Sequence, residues 1–400
     1  MSFWADPISF IITWFLGLLA SWGLAAEAVK VIGYVLGAFI MAMGSLMLVI
    51  FLIWVERKLI ARVQDRLGPN RIGPWGIFQT FADMLKIFTK EYITPNGVDI
   101  VPYNIAPVLA VAAVIMVWAV LPFTRNLFGV DLNVGVLYVL AASSLGELAV
   151  ILAGWGSNNK FALLGALRAV AQMISYSVPL VICLLLPVMF TGSMSMTAIV
   201  EAQGKGWFIL LVPIPALIFF VAAVAETGRV PFDLVEAESE IVAGFNIEYS
   251  GLKFGMFYVG DFLHAFTMAL LFATLFLGGW RGPGAESLPI LGIGWFFLKT
   301  ALVYFLTVLM RGVLPRFRID QMTYLNWKFL TPFALLGLML IALLNKVVPV
   351  DASNLVRILI LLAGNGVLLA GMLAYLRVFS AGRKRPLVAI PQSRPGIHSV

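Results

Sequence analysis

The sequence has few residues that could build a metal or redox centre. Its 400 residues include one cysteine, Cys183, and two histidines, His264 and His398. A disulfide framework or a cysteine metal site is therefore excluded within this chain, and haem or zinc ligation is disfavoured. The sequence also lacks a glycine-rich loop of the Walker or dinucleotide type. We expect this chain to bind no metal or cofactor, and we assign any nucleotide chemistry to partner chains.

Charged side chains are scarce as well, and apolar ones dominate. Charged residues make up 12% of the chain, whereas 61% of residues are hydrophobic and the mean hydropathy is +0.99. Soluble domains contain only roughly 45–50% apolar residues. Nine stretches approach the roughly 20 residues that cross a bilayer: residues 33–55, 102–123, 134–155, 169–190, 207–226, 256–279, 291–312, 329–349 and 354–376. The composition therefore predicts an all-α, polytopic membrane helix bundle of about nine transmembrane helices.

The basic residues predict the orientation of this bundle. Of the 27 Lys and Arg residues, about twenty fall in alternate loops and the C-terminal tail, six fall on the other side, and Lys299 lies inside a span. The positive-inside rule then places the N-terminus outside and the basic loops in the cytoplasm. The net charge of +7 indicates topology rather than nucleic-acid binding. Residues 8–26 follow no basic segment, so we expect an interfacial helix or an additional span rather than a signal peptide, and we favour the interfacial helix.

An acidic run at residues 225–251 is the most unusual part of the sequence. It contains six carboxylates: Glu226, Asp233, Glu236, Glu238, Glu240 and Glu248. A helix beginning at Pro231 would place Asp233, Glu236 and Glu240 on one face, where like charges destabilise a helix by roughly 0.2–0.5 kcal/mol per pair. Closely spaced carboxylates titrate as a coupled set. The run therefore predicts a role in proton coupling, with a solvated acidic loop as the simpler alternative.

A second polar segment, residues 56–91, combines turns with an amphipathic pattern. Four polar residues recur at helical spacing after Gly76: Gln79, Asp83, Lys86 and Lys90. Five apolar residues occupy the other face: Ile77, Phe78, Phe81, Leu85 and Phe88. The pattern predicts an amphipathic helix on the membrane surface or beside a cavity at that depth, rather than one that only packs on the spans. Nearby arginines, among them Arg57 and Arg66, add more charge than packing requires.

Ionisable residues inside the predicted spans are few. A carboxylate such as Glu147 costs on the order of 2.5–3.5 kcal/mol at mid-depth on insertion scales, so we expect a proton carrier or a carboxylate that reaches water near a helix end. Asp261 and His264 lie one turn apart in another span, where we interpret His264 as a buried structural residue. Lys299 could pair with an acid or extend its ammonium group to the interface. Tyr176 and Ser177 could relay hydrogen bonds, although such residues more often serve helix packing.

Four motifs resemble a known family. Residues 56–91, 154–177, 225–251 and the motif PRFRIDQ at 315–321 resemble the H subunit of proton-pumping NADH:quinone oxidoreductase, respiratory complex I. Its mitochondrial counterpart is NADH dehydrogenase subunit 1. The match runs in register from about residue 33 to 349. It implies a bundle of tilted helices, usually eight, that encloses the quinone chamber together with the peripheral arm.

The resemblance and the ionisable span residues give two candidate sets. Seven residues are placed beside the quinone chamber: Glu56, Arg57, Arg66, Asp83, Lys86, Arg229 and Asp233. Eight are assigned to proton coupling: Glu147, Tyr176, Glu226, Glu236, Glu238, Glu240, Glu248 and Asp261. The basic residues of PRFRIDQ, Arg316 and Arg318, together with Asp320, could clamp the acidic run or an anionic headgroup.

The chain departs from the family pattern at two positions. Family members usually have Glu where this chain has Ser177, a position assigned to the acidic path, and Asp261 stands where Glu is usual. Glu147, at a position where relatives often have an apolar residue, lies one span earlier in the same cytoplasmic half. We hypothesise that Glu147 replaces the missing carboxylate.

The resemblance implies a subunit that binds quinone and couples its reduction to proton translocation but carries no redox centre. FMN and iron–sulfur clusters would lie on partner subunits, with peripheral-arm quinone-site subunits and small membrane subunits as neighbours in a prokaryotic plasma membrane. We expect an interfacial segment at 1–32, the family's membrane domain at 33–350, an additional transmembrane helix at 351–376 and a cytoplasmic basic tail at 377–400. The alternatives are the membrane anchor of a hydrogenase or ferredoxin-fed complex, a secondary ion transporter, for which inverted repeats are lacking, and a plain scaffold subunit.

Overall fold

A computed structural model shows how the chain folds. It describes residues 7–21, 25–234, 244–286, 288–347 and 354–382. The described residues form helices, turns and connecting segments, with no β-strand among them. The all-α prediction is therefore confirmed.

The described part of the chain contains fourteen α-helices, which we number α1 to α14. Their bounds are, in order, Pro7–Ser21, Ala26–Val63, Gln79–Thr89, Ile100–Trp118, Gly135–Gly156, Lys160–Thr191, Met196–Ala202, Phe208–Leu211, Pro213–Glu226, Gly251–Phe276, Pro289–Val313, Ile319–Leu325, Thr331–Val347 and Asn354–Gly382. A π-helical turn, Asn326–Leu330, joins α12 to α13. Short 3-10 turns occur at Pro74–Gly76, Gln203–Lys205 and Gly244–Asn246.

Eight helical segments within the described residues are long and apolar enough to cross a membrane. They are α2, α4, α5, α6, α10, α11, the segment Ile319–Val347 and α14. Each corresponds to one of the nine predicted spans, with ends that differ by a few residues in most cases and by more at α2, α6 and Ile319–Val347. Only the stretch 207–226 lacks a single helix of spanning length.

That stretch is divided at Val212, whose φ of −135° and ψ of 59° separate α8 from α9. Pro213 has no amide hydrogen to donate and sits at the first position of α9. The side chain of Asn365 on α14 bridges the break, because its Nδ2 donates to the Leu211 carbonyl (2.9 Å) and its Oδ1 accepts from the Ile214 amide (3.4 Å). The 14 residues of α9 extend about 21 Å. The stretch predicted as a span is therefore divided into two helices at a proline, a break that the apolar run conceals.

Helix α10 is the centre of the bundle. Of its apolar stretch 78% is buried, whereas the other spanning helices range from 17% to 44%. Trp118 on α4 donates its indole N–H to Thr267 on α10 (2.8 Å), so that even the polar atoms of this interface are paired. Because α10 contacts α4, α11, α2 and α9, it fixes the relative positions of the helices that carry the site.

The two ends of the bundle are formed by different loops. The acidic-loop end contains residues 227–234 and 244–250, and the opposite end contains the turn at 277–286 between α10 and α11. The helix predicted to begin at Pro231 is absent from residues 231–234, which form a turn. The Pro231 carbonyl instead accepts a hydrogen bond from the Phe317 amide (2.9 Å). Tertiary contacts therefore override the local helix-start signal.

The two terminal helices pack on this core. The 15 residues of α1 lie against α2 and extend about 22 Å, less than the roughly 30 Å of a bilayer core. The interfacial position of α1 stays a prediction. Helix α14 packs on α13, where Tyr375 lies 6.0 Å from the rings of both Phe329 and Phe333.

We predict that Asn365→Leu destabilises the bundle at the α8–α9 break. The Leu211 carbonyl and the Ile214 amide would lose their side-chain partner, at about 1–3 kcal/mol for each buried group left unpaired. The midpoint of thermal unfolding of the purified protein should fall. Gly366→Ala on the same helix is the matched control, because an added Cβ meets nothing within 4 Å; equal midpoints for the two variants would contradict the bridging role.

Candidate functional site

A buried carboxylate, Glu56 on α2, is held by groups from two distant parts of the chain. Its side chain is 3% exposed. Arg229, in the turn after α9, donates from Nη1 to both carboxylate oxygens at 2.8 and 3.0 Å. Tyr304 and Arg311, both on α11, donate to Oε2 at 3.1 Å and to Oε1, respectively. Two guanidinium groups thus surround one carboxylate, which leaves this cluster with a net positive charge.

Arg229 is fixed by more than its ion pair. Its guanidinium carbon lies 4.4 Å from the ring centre of Phe262 on α10. Its Nη2 is buried and has no hydrogen-bond partner among the described residues. A buried guanidinium with a free N–H donor beside an aromatic face can bind a carbonyl or anionic oxygen.

A second ion pair lies directly beside the first, because Arg57 follows Glu56 on α2. Arg57 Nη1 donates to Asp83 on α3 at 2.5 Å, and Lys86 lies 3.9 Å from the same carboxylate. Trp54 on α2 makes a further contact, because its indole N–H donates to the Trp75 carbonyl in the turn before α3 (3.2 Å). These contacts hold the amphipathic helix against α2 at the acidic-loop end.

The amphipathic prediction for α3 is confirmed. The apolar residues of α3 and of the two positions before it are exposed on this chain: Ile77, Phe78, Phe81, Leu85 and Phe88 are 37–60% exposed. Arg66, predicted for the same chamber, is exposed in the turn after α2, where its Nε donates to Gln64 (2.9 Å). The structure therefore brings Arg57, Asp83 and Lys86 together and leaves Arg66 outside this group.

The start of the acidic run is anchored to the rest of the bundle. Asp233 pairs with Arg316 (3.0 Å), which confirms that the motif at 315–321 contacts the acidic run. Gln172 on α6 donates to the carbonyls of Ala225 and Phe232, both at 2.7 Å. Glu236, Glu238 and Glu240 lie outside the described residues.

Two carboxylates lie behind the turn that carries Arg229. Glu226, the last residue of α9, is 5% exposed, and its Oε2 has no hydrogen-bond partner among the described residues. Glu147 on α5 is half-buried and close enough to Glu226 to repel it electrostatically. The Ser177 hydroxyl on α6 lies 3.2 Å from Glu147 Oε1 and 2.9 Å from the Met173 carbonyl, so these two acceptors compete for its one proton. The serine at the departure from the family pattern therefore touches the proposed substitute carboxylate.

Two further candidates, Tyr176 and Asp261, have other surroundings. The Tyr176 hydroxyl is buried and donates to the Met322 carbonyl (2.9 Å), so its proton is already used in a structural hydrogen bond. Asp261 and His264 are both half-buried on α10. Their positions one turn apart agree with the helical spacing expected from sequence.

Glu248 is held in a cluster at the start of α10. Its Oε1 accepts from Asn159 Nδ2 (2.7 Å), and its carbonyl accepts from the Tyr103 hydroxyl (2.8 Å). The rings of Tyr103 and Tyr249 stack at 4.3 Å, and the Lys253 ammonium lies 4.3 Å from the Tyr103 ring. Burial raises the pKa of Tyr249, which keeps its hydroxyl a donor to the Tyr103 carbonyl (3.2 Å).

Sequence reasoning did not identify several partners in this site: Tyr103, Asn159, Lys253, Tyr304 and Arg311. In the sequence, Arg311 is a basic residue at the end of a span and indicates only the orientation of the chain. Its nearness to a span end could have marked it as a possible partner of a buried acid. The tyrosines and Asn159 carry no comparable signal, because their roles depend on residues more than 80 positions away.

Together these features define a polytopic membrane protein whose charged groups converge at one end of a helix bundle. Comparison with known families is consistent with that class. A family model described as NADH dehydrogenase matches residues 36–342. The chain belongs to this family, and the resemblance seen in its motifs is confirmed.

Individual relatives agree with this family assignment, and three of them are each named as the H subunit of NADH-quinone oxidoreductase. The protein of Dehalococcoides mccartyi strain CBDB1 is 47% identical over 294 residues, covering 74% of this chain and 82% of the relative. That of Carboxydothermus hydrogenoformans is 48% identical over 287 residues, covering 72% and 81%. That of Bacteroides fragilis strain YCH46 is 43% identical over 348 residues, covering 84% and 97%.

We predict that Glu56→Gln destabilises the protein by about 3–5 kcal/mol, because the buried guanidinium group of Arg229 and the partly exposed one of Arg311 would lose their shared counter-charge. The free energy of unfolding in detergent is the measurement. Asp83→Asn is the matched control: it breaks an ion pair whose arginine is 47% exposed, for which a loss of at most about 1 kcal/mol is expected. Equal losses for both variants would show that burial of the Glu56 cluster does not determine its contribution.

Proposed function

We propose that this chain is the membrane subunit of a proton-pumping NADH:quinone oxidoreductase that forms part of the quinone chamber and couples quinone reduction to proton translocation. The observation that carries this proposal is a series of neighbouring ionisable groups leading from the bundle surface into the membrane helices. The Arg57–Asp83 pair adjoins Glu56, and Glu56 binds Arg229. Glu226 lies three residues before Arg229, at the end of α9, and is within electrostatic range of Glu147.

The electrostatics of this series suit a quinone substrate. A quinone is largely apolar and presents two carbonyl oxygens that accept hydrogen bonds and gain negative charge on reduction. The net positive charge around Glu56 and the free Nη2 of Arg229 favour such a group. The exposed apolar face of α3 offers a surface to an apolar molecule that arrives from the bilayer.

The carboxylates beyond Arg229 supply the coupling. Closely spaced, poorly solvated carboxylates respond to one another's charge and titrate as a set. A charge change near Arg229 therefore alters the protonation of Glu226 and, through it, of Glu147. Glu236, Glu238 and Glu240 would extend this set along the acidic run, with Glu248 and Asp261 as further members.

The redox groups belong to other chains in this proposal. FMN and iron–sulfur clusters on peripheral-arm subunits would supply electrons, and small membrane subunits would receive the coupling signal. The acidic-loop end faces the cytoplasm of a prokaryote, in agreement with the distribution of basic residues. The names of the relatives favour NADH as donor over the hydrogenase and ferredoxin alternatives.

The first test is to purify the complex that contains this chain in mild detergent and identify its partners by mass spectrometry. We expect flavin and iron–sulfur subunits, together with quinone reduction driven by NADH. Reduced ferredoxin and hydrogen are the control donors. Activity with either of these alone, or a chain that purifies without partners and transports a solute, would contradict the proposal.

We further propose that Glu147 provides the carboxylate that family members usually have at the position of Ser177. The hydrogen bond between Ser177 and Glu147 Oε1 supports this, because it places the two side chains at one point between α5 and α6. A carboxylate on either helix could then occupy nearly the same place in the series. The carboxylate would then be carried by the neighbouring helix but lie at nearly the same place in the protein.

Glu147→Gln should lower proton pumping per quinone reduced by about tenfold or more, because an amide cannot carry the proton. The measurement is acidification of proteoliposomes that contain the assembled complex. The double variant Glu147→Gln/Ser177→Glu should restore pumping. Glu201→Gln is the matched control, because it removes the same charge at an exposed site on the opposite end; wild-type pumping by Glu147→Gln would refute the replacement.

A further inference from the structure

A pocket of about 440 Å³ lies at the opposite end of the bundle from the proposed quinone site. It is formed between the segment that joins α7 to α8 and the turn that joins α10 to α11. Its lining includes Gly204, Trp207, Leu210, Arg281, Gly282 and Glu286. No part of the proposed coupling series enters it.

A buried cation lies beside the pocket. Lys299 on α11 is 8% exposed. Its ammonium group donates to three backbone carbonyls, those of Leu277, Gly279 and Arg281, at 2.7, 3.0 and 2.6 Å. It also lies 4.9 Å from the ring centre of Trp207, and it forms no ion pair with the described carboxylates. Lys299 therefore neither pairs with an acid nor extends to water; it stabilises the 277–281 turn and adds positive charge under the pocket.

Arg281 brings a second positive charge to the pocket wall. Its side chain is 25% exposed, and its Nε is buried without a hydrogen-bond partner among the described residues. Its carboxylate neighbour is Glu286, at 3.5 Å, whose side chain is 72% exposed. An ion pair so open to solvent contributes little free energy, so Glu286 is a weak competitor for the guanidinium. The guanidinium retains capacity to bind an anion.

Gly204 allows the guanidinium to take this position. A Cβ at Gly204 would overlap with Nη1 of Arg281. Because glycine has no side chain, the arginine can lie directly against the backbone of the facing segment. Arg281 and the backbone at Gly204 therefore form one wall of the pocket.

Apolar surface adjoins these charges. Trp207 is 42% exposed and Leu210 is 54% exposed. Tryptophan is enriched where membrane proteins cross from hydrocarbon to headgroup. The pocket therefore combines cationic groups with an adjoining aromatic and an aliphatic side chain, an arrangement that suits an acidic amphiphile.

We propose that this pocket binds one anionic phospholipid, with its phosphate at Arg281 and an acyl chain along Trp207 and Leu210. Arginine suits phosphate because its planar group donates two parallel hydrogen bonds. The Lys299 charge strengthens the local positive potential without contacting the lipid. The site serves to attach a lipid at the end of the bundle away from the quinone chamber.

The test uses native mass spectrometry of the whole complex, released from nanodiscs that contain phosphatidylglycerol or phosphatidylcholine. Arg281→Gln should weaken retention of one phosphatidylglycerol on this chain by about tenfold and leave phosphatidylcholine retention unchanged. Glu286→Gln should retain phosphatidylglycerol at least as well as wild type, because it removes the competing carboxylate. Arg125→Gln, an exposed arginine at the same end, is the matched control and should behave as wild type.

Equal phosphatidylglycerol retention by Arg281→Gln and Arg125→Gln would overturn the proposal. So would displacement of the lipid by inorganic phosphate alone, since the pocket would then be a phosphate site without a role for the acyl chain. If Arg281→Gln does not assemble, Arg281→Lys keeps the charge and removes the planar donor pair. Its retention of phosphatidylglycerol should be lower than that of wild type, and wild-type retention would contradict binding through the guanidinium.

Discussion

Burial of the Glu56 carboxylate is the constraint on which the acidic-loop end depends. A carboxylate taken out of water must be paired, because its desolvation costs several kcal/mol. Its partners come from the turn after α9 and from α11, 173 and 255 residues further along the chain for the two arginines. Three elements that share no local sequence signal are thereby held at one point. The position of α3 follows, since the neighbouring Arg57 ties Asp83 to the same helix.

The turn after α9 depends on that constraint and reinforces it. With Arg229 fixed on Glu56, the following residues are directed toward α6 and the motif at 315–321. There Gln172 and Phe317 satisfy backbone carbonyls of the turn, and Arg316 pairs with Asp233. These interactions replace the helix that Pro231 and Asp233 favour locally. The acidic run therefore starts from a fixed point beside the Glu56 cluster, as the proposed coupling between the two requires.

The charged groups at the two ends of the bundle have different kinds of partner. At the acidic-loop end, carboxylates and guanidinium groups contact one another, and the Lys253 ammonium lies over the Tyr103 ring. At the opposite end, the Lys299 ammonium is satisfied by backbone carbonyls alone, and Arg281 has one exposed acidic neighbour. The first end has groups that can exchange protons, and the second presents positive charge to an external partner. This difference separates the proposed coupling function from the proposed lipid site.

The sequence by itself determined eight of the membrane spans, the amphipathic helix and the family. Hydrophobicity and helical period are properties of contiguous residues, so they can be read within one segment, as α3 shows. The break at Val212 also has a local sequence signal, Pro213, which favours the start of a new helix. The apolar run around Pro213 nevertheless resembles one uninterrupted span. Only the tertiary structure decided that Glu56 binds Arg229 and Arg311, that Ser177 touches Glu147, and that Lys299 binds carbonyls instead of an acid. Such pairings are selected by the mutual packing of distant helices, because an ionisable group must find a partner wherever the fold buries it.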